Sequence, residues 1–220
     1  ILNSVFSKLE FEEYVIVKYK DFSDYKPGMD VDLFVIDSER ISRKILTSLN
    51  GLIEDSKEVL IYEVNNSHFQ IDLKDKGNLI IKFDIYAKLP SYNKIDVKQS
   101  FFYILFLSTK KVKRFHNGKE YNIKLLSDLN EMIIRYFEYL EYYEIRPDKI
   151  KHLNYISNNL SATDLDYFYE RLHLFTSYPS ESEIAKEKKL RYFLDYAKYF
   201  SKKVLKKFLV YIKRFLASFR

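Results

Sequence analysis

The chain has 220 residues, of which 47% are hydrophobic, and a formal net charge of +6. This length and hydrophobic content are enough to bury a core, which excludes an intrinsically disordered protein. The chain has no cysteine, which excludes disulfide frameworks and catalytic thiols. Its four histidines form no H-x-x-x-H pair, which disfavours a zinc enzyme. The longest apolar run, 101–107, is far shorter than the roughly 20 residues of a membrane-spanning helix.

The first half of the chain predicts alternating helices and strands. In chain order these are a helix over 1–13, a strand over 14–20, a strand over 30–36 and a helix with Ser38 as its cap. Pro27 and Gly28 mark the loop between the two strands. Three more strands are predicted over 59–64, 68–74 and 79–85, and the "DKGN" turn should join the last two as a hairpin.

From about residue 127 the pattern becomes helical. The sequence therefore predicts an α+β fold, in which a mixed sheet flanked by helices is followed by a helical carboxyl-terminal region. The predicted domains are a sheet domain over 1–126, a helical domain over 127–201 and a basic amphipathic helix over 202–220.

Two acidic residues open the predicted strand 30–36. Asp30 and Asp32 are two positions apart, so their side chains should lie on the same face of the strand and converge. Converging carboxylates favour a hard divalent cation, Mg²⁺ or Mn²⁺, as a ligand. The alternative is a pair of solvated acids that close the Pro-Gly turn.

A third acid, Asp84, lies in the predicted strand 79–85, where a hydrophobic residue would be expected. It shares a strand face with Lys82 and Tyr86. Asp84 is therefore a candidate ligand of the same metal. The alternative is an exposed strand acid that is paired with Lys82 or another lysine.

The order of these features resembles the nucleotidyltransferase fold, the superfamily of DNA polymerase beta: a strand, a turn, a D-h-D motif, and a third acid on a strand after a hairpin. More narrowly, "EYVIVKYKDFSDYKPGMDVDLFV", "RYFEYL" and "RPDKIKHL" resemble uncharacterised nucleotidyltransferase-like proteins of bacterial surface-polysaccharide gene clusters. The resemblance implies that Asp30, Asp32 and Asp84 hold Mg²⁺ or Mn²⁺ against a nucleotide and that Asp84 acts as the catalytic base. The implied acceptor is a sugar, a glycan or another polar and possibly lipid-linked molecule.

The sequence departs from this family in one respect, because no Gly-Ser pair precedes Asp30 to grip the phosphates. Lys18 and Lys20 are the nearest basic residues and are candidate phosphate ligands; alternatively, they are solvated lysines at a sheet edge. Arg146, Lys149 and His152 could contact the acceptor or substrate from the helical region, or form a surface cluster at the start of a helix.

Most of the excess positive charge lies at the carboxyl end, where residues 202–220 contain seven basic residues and no acid. This concentration favours a local contact and disfavours an extended contact with nucleic acid. Apolar residues at helical spacing, including Phe208, Phe215 and Phe219, form a stripe opposite the lysines. Such a helix is typical of the membrane interface, so the segment is predicted to bind an anionic membrane surface. The alternative is a helix that packs its stripe against the rest of the chain.

The leading functional hypothesis is a metal-dependent nucleotidyltransferase-like enzyme that acts in surface-polysaccharide synthesis at the cytoplasmic face of the membrane. A glycosyltransferase whose D-x-D motif holds a nucleotide-sugar is a second possibility. A third is a catalytically inactive partner protein that retains the fold, which the missing Gly-Ser pair favours. Binding of Mn²⁺ separates the enzymes from the inactive partner.

Overall fold

The computed structural model describes residues 1–18, 25–51 and 57–178. Within these ranges the helices are α1 (Leu2–Lys8), α2 (Ser38–Asn50), α3 (Ser100–Leu107), α4 (Asp128–Tyr142), α5 (Ile150–Asn159) and α6 (Ala162–Phe175), with a 3₁₀ turn at Pro147–Lys149. The strands are β1 (Tyr14–Ile16), β2 (Asp30–Val35), β3 (Lys57–Asn65), β4 (His68–Asp75), β5 (Asn78–Tyr86), β6 (Thr109–His116) and β7 (Lys119–Leu126). The predicted α+β fold class is confirmed.

The strands form one mixed sheet in the order β3-β4-β5-β2-β1-β7-β6. The pairs β2–β5 and β1–β7 are parallel, and the other neighbours are antiparallel. The β4–β5 hairpin turns at Lys76-Gly77 and the β6–β7 hairpin at Asn117-Gly118, and all four of these residues have positive φ. Positive φ at both central residues matches the twist of a two-residue hairpin and explains the glycine in each turn.

Each face of the sheet is covered by its own hydrophobic core. Val31, Leu33 and Val35 of β2 point to a core that includes residues of α1 and α2, whereas Phe34 points to a core that includes residues of α3 to α6. This alternation follows from the two-residue period of a strand. The helices after β7 therefore pack directly on the sheet, while the predicted division into domains stays a prediction.

The structure corrects several predicted boundaries. The first helix is shorter than 1–13, and the first strand ends at Ile16. Lys18 has a φ of 70°, a left-handed conformation that is rare for residues other than glycine and ends the strand alternation. The β6–β7 hairpin was not predicted.

Two predicted features lie outside the described residues. These are Lys20 and the basic segment 202–220 with Phe208, Phe215 and Phe219. Among the helices of the described ranges, none has the length and apolar character needed to span a membrane.

Candidate functional site

The predicted acids lie on one face of two adjacent strands. β2 and β5 run parallel with Asp32 opposite Asp84 and Asp30 opposite Lys82. Because directly paired residues share a face, the side chains of all four point to the same side of the sheet. We call these four residues the acidic face. Strand β4 brings His68 beside it, since His68 is paired with Tyr86 at the end of β5.

Lys82 joins two of the three acids. Its Nζ lies 3.0 Å from Asp84 Oδ2 and 3.4 Å from Asp30 Oδ2. Burial lowers the pKa of Lys82, but the Asp84 and Asp30 carboxylates outweigh burial, so the pKa is raised overall. Lys82 therefore stays charged and serves as a built-in counter-ion.

His68 contacts the other oxygen of Asp84. His68 Nε2 lies 3.2 Å from Asp84 Oδ1, and its ring stacks on Tyr86 with 4.1 Å between the ring centroids. Asp84 itself is buried, with 6% of its surface exposed. Its two oxygens are thus both engaged, one by an imidazole and one by an ammonium.

Lys18 lies between the sheet and helix α4. Its Nζ is 3.0 Å from Asp32 Oδ2 and also contacts the carboxylate of Glu138. Burial raises the pKa of Asp32, and the neighbouring Lys18 lowers it without cancelling that effect. The lysine that was predicted to bind phosphate is therefore held by two carboxylates in this structure.

Glu138 is a site residue that the sequence reasoning missed. Its Oε2 lies 2.9 Å from Lys149 Nζ and 3.2 Å from His152 Nε2, in addition to the Lys18 contact at Oε1. Burial raises the pKa of Glu138, but the contact with the His152 ring and the Lys18 and Lys149 ammonium groups outweigh burial and hold the pKa well below its ordinary value. We call Glu138, Lys18, Lys149 and His152 the Glu138 cluster.

A sequence signal for Glu138 does exist. The residue follows the buried Phe137 and lies four positions after the buried Ile134, so it falls on the core side of α4. Because a buried acid is almost always paired, an acid on the core side of a helix predicts a buried partner, by the same reasoning that singled out Asp84.

The three basic residues predicted near the start of α5 divide into two groups. Lys149 and His152 point inward and reach Glu138, with side chains 12% and 3% exposed. Arg146 lies at the surface, where its guanidinium is 3.5 Å from Asp148. The surface-cluster alternative thus describes Arg146 but does not describe Lys149 or His152.

His152 is held as a neutral ring. Arg135 Nη1 lies 3.2 Å from His152 Nδ1, and because a guanidinium can only donate, Nδ1 must accept and the hydrogen must sit on Nε2. Nε2 faces Glu138 without the alignment of a hydrogen bond. Burial lowers the pKa of His152 more than Glu138 raises it, so the pKa is lowered overall.

We expect this histidine to make the fold acid-sensitive. An unfolded His152 takes up a proton as pH falls through about 6.5, whereas the folded one resists protonation until lower pH. The free energy of unfolding should therefore fall between pH 7.5 and 5.5, by at most about 1.4 kcal/mol per pH unit for one proton. Denaturant titrations of the unaltered chain and of His152→Gln check this. An equally steep pH dependence in His152→Gln would assign the effect to other groups.

The acidic face presents three carboxylates, and each of them is paired with a lysine. Within the described ranges, no three carboxylate or imidazole groups are arranged to hold a metal ion. The donors nevertheless suit Mg²⁺ or Mn²⁺, which prefer oxygen ligands, and the Lys82 ammonium marks a cation position between Asp30 and Asp84. Lys82 is 22% exposed, and its ammonium is carried on a flexible four-carbon stem.

Comparisons with known proteins show only weak similarity. No protein-family model matches the chain, and no curated protein matches it. Among solved structures, the chain is similar to the Megavirus polyadenylate synthase, with 11% sequence identity and a TM-score of 0.34. The similarity covers 70% of this chain and 29% of that enzyme.

Proposed function

We propose that this protein is a metal-dependent nucleotidyltransferase-like enzyme that transfers a nucleotidyl or related phosphoryl group to a polar acceptor. The observation that carries the proposal is the pairing of Asp32 with Asp84 on adjacent parallel strands. Asp30 lies beside them, and the Lys82 ammonium contacts both Asp30 and Asp84. This is the arrangement of carboxylates that the sequence resemblance implies. A sugar, glycan or lipid-linked acceptor in surface-polysaccharide synthesis follows from that resemblance alone.

Asp30, Asp32 and Asp84 would hold the Mg²⁺ or Mn²⁺, which when bound supplies neutralisation of the phosphate charge. Asp84 is the proposed base for the acceptor hydroxyl, because His68 contacts one of its oxygens and fixes the orientation of the other. Release of Lys82 from the acids would leave an ammonium at the edge of the site, where it can contact phosphate as a point charge.

The proposal extends to the parts of the chain beyond the described residues. Lys20 is a proposed phosphate ligand, and residues 202–220 are proposed to bind the anionic cytoplasmic face of a membrane through their basic side chains and Phe208, Phe215 and Phe219. Both suggestions rest on sequence alone.

Release of pyrophosphate tests the transferase proposal. The chain is incubated with each nucleoside triphosphate, Mg²⁺ or Mn²⁺, and a panel of sugar and glycan acceptors. We expect Asp84→Asn to reduce the rate at least a hundredfold, since it removes both a metal ligand and the base. Asp128→Asn is the matched control, because Asp128 is an exposed acid that pairs with Lys110. No turnover with any nucleotide, or equal rates in both variants, would contradict the proposal.

A second candidate function is an inactive partner protein that retains the fold. The observation in its favour is that Lys18 and Lys82 neutralise the three acids without a metal. In that case the lysines are permanent structural counter-ions, and the acids should not bind Mn²⁺. Metal binding therefore separates the two candidates.

A further inference from the structure

Strand β3 forms one edge of the sheet, and within the described residues it pairs only with β4. It is nine residues long. Its apolar side chains include Ile61, Tyr62 and Val64, which are 52%, 43% and 53% exposed. A long edge strand with exposed apolar residues offers its backbone and side chains to another strand.

The opposite edge of the same sheet is built differently. Strand β6 carries Lys110, Lys111 and Lys113, which are all exposed. Lysines on an edge strand discourage pairing with another strand, because two copies would bring like charges together. The lysines of β6 therefore protect that edge against pairing with another strand, and β3 is the edge that suits an interface.

We propose that β3 pairs antiparallel with β3 of a second copy of this chain, with Leu60 opposite its own equivalent at a two-fold axis. In this register Val59 lies opposite Ile61, Glu58 lies opposite Tyr62, and Lys57 lies opposite Glu63. Each apolar pair and each opposite-charge pair occurs twice because of the symmetry. Cross-strand pairs of both kinds stabilise antiparallel strands.

Other symmetric registers are less favourable. With the two-fold axis at Ile61, Val59 would face Glu63 and Glu58 would face Val64. With the axis at Val59, Lys57 would face Ile61. With the axis at Val59, Glu58 would also face Leu60, so each of these two arrangements sets two charged side chains of β3 against apolar ones. The register centred on Leu60 does so only for Glu58, and it is the register that pairs Lys57 with Glu63, so the β3 sequence favours it.

Cross-linking through single cysteines tests the register, because the natural chain has no cysteine. In Leu60→Cys the two thiols should lie within about 5.5 Å of each other, so oxidation or a short thiol cross-linker should give a covalent dimer. Tyr62→Cys is the matched control on the same strand face. Its two thiols would be four residues apart along the strands, or roughly 13 Å, so it should not cross-link.

Sedimentation of the full chain tests the interface itself. The unaltered protein should show a concentration-dependent dimer, and Leu60→Lys or the more exposed Ile61→Lys should raise its dissociation constant at least tenfold. Phe115→Lys, an exposed position on β6, should leave it unchanged. Circular dichroism confirms that each variant is folded.

Three results would overturn the proposal. A monomer at every concentration would mean that the β3 edge is open or is covered by another part of the same chain. A dimer that both β3 variants leave intact would place the interface elsewhere. Equal cross-linking of Leu60→Cys and Tyr62→Cys would reject the register.

Discussion

Replacing Glu138 with alanine should lower the free energy of unfolding by about 3–5 kcal/mol, the usual cost of breaking a buried ion pair by removing one partner. The Glu138 carboxylate contacts Lys18, Lys149 and His152, and its side chain is 12% exposed. Loss of this carboxylate leaves the Lys18 and Lys149 ammonium groups, between the sheet and the helices, without the negative charge that they share. Denaturant titration at pH 7.5 measures the change.

Two variants separate charge from packing in this prediction. Glu138→Gln keeps the shape of the side chain and should lose most of the same stability, because the charge is what the cations require. Glu39→Gln removes an exposed pair with Arg43 on α2 and should cost less than about 0.5 kcal/mol. A loss below about 1 kcal/mol in Glu138→Ala would show that the cluster is solvated and does not hold the helices to the sheet.

The same cluster predicts a second pH effect. Because the pKa of Glu138 is lowered in the fold, its contribution to stability is present above its ordinary value of 4.5 and is lost as pH falls below that value. This loss begins at a lower pH than the loss from His152, so the two contributions can be resolved by extending the titrations into the acid range.

Replacing Lys82 with methionine should increase the affinity for Mn²⁺ at least tenfold, about 1.4 kcal/mol. In the unaltered chain a metal must displace the ammonium that joins Asp30 and Asp84. Methionine removes that competitor, so Asp30 and Asp84 lose the ammonium that they share. The affinity is measured by titration with Mn²⁺ at constant ionic strength.

The control for this variant is Lys111→Met, which removes the same charge from an exposed position on β6. It corrects for the change in net charge and should shift the affinity by less than twofold. If Lys82→Met binds Mn²⁺ no better than Lys111→Met, Lys82 does not occupy a metal position, and the inactive-partner candidate is favoured.

The residues of the acidic face could be predicted from the sequence, because the face on which each side chain lies depends only on its position along a strand. The spacing of Asp30 and Asp32 fixes them on one face, and the alternation in β5 puts Lys82 and Asp84 together. One of the two alternatives that the sequence left open was an exposed Asp84 paired with Lys82: the pairing is observed, but the carboxylate is buried. Which strands are neighbours depends on the whole sheet, so the distances could not be predicted.

The core-side position of Glu138 on α4 had a sequence signal, but its partners could not be assigned from local sequence. The members of the Glu138 cluster come from the end of β1, from α4 and from the start of α5, and they meet only because the helices pack on one face of the sheet. The left-handed backbone at Lys18 also breaks the alternation that was used to place this side chain. Strand periodicity therefore could not assign Lys18 to Asp32 and Glu138.

The missed β6–β7 hairpin had a visible signal. Asn117-Gly118 is a strong two-residue hairpin motif, and Tyr121, Ile123 and Leu125 of β7 alternate with polar residues as in a strand. β6, in contrast, is rich in lysine and lacks the apolar alternation that marks a strand. β6 lies at the edge of the sheet, where charged residues are tolerated and protective. Turn chemistry was the better guide there.

The central claim is that the acidic face is a divalent-cation site, and electron paramagnetic resonance of Mn²⁺ tests it most directly. Titration of the unaltered chain should show saturable binding in the micromolar to millimolar range, and Asp84→Asn should abolish it while circular dichroism stays unchanged. Absence of binding by the folded, unaltered chain, or equal binding by Asp84→Asn, would contradict the claim.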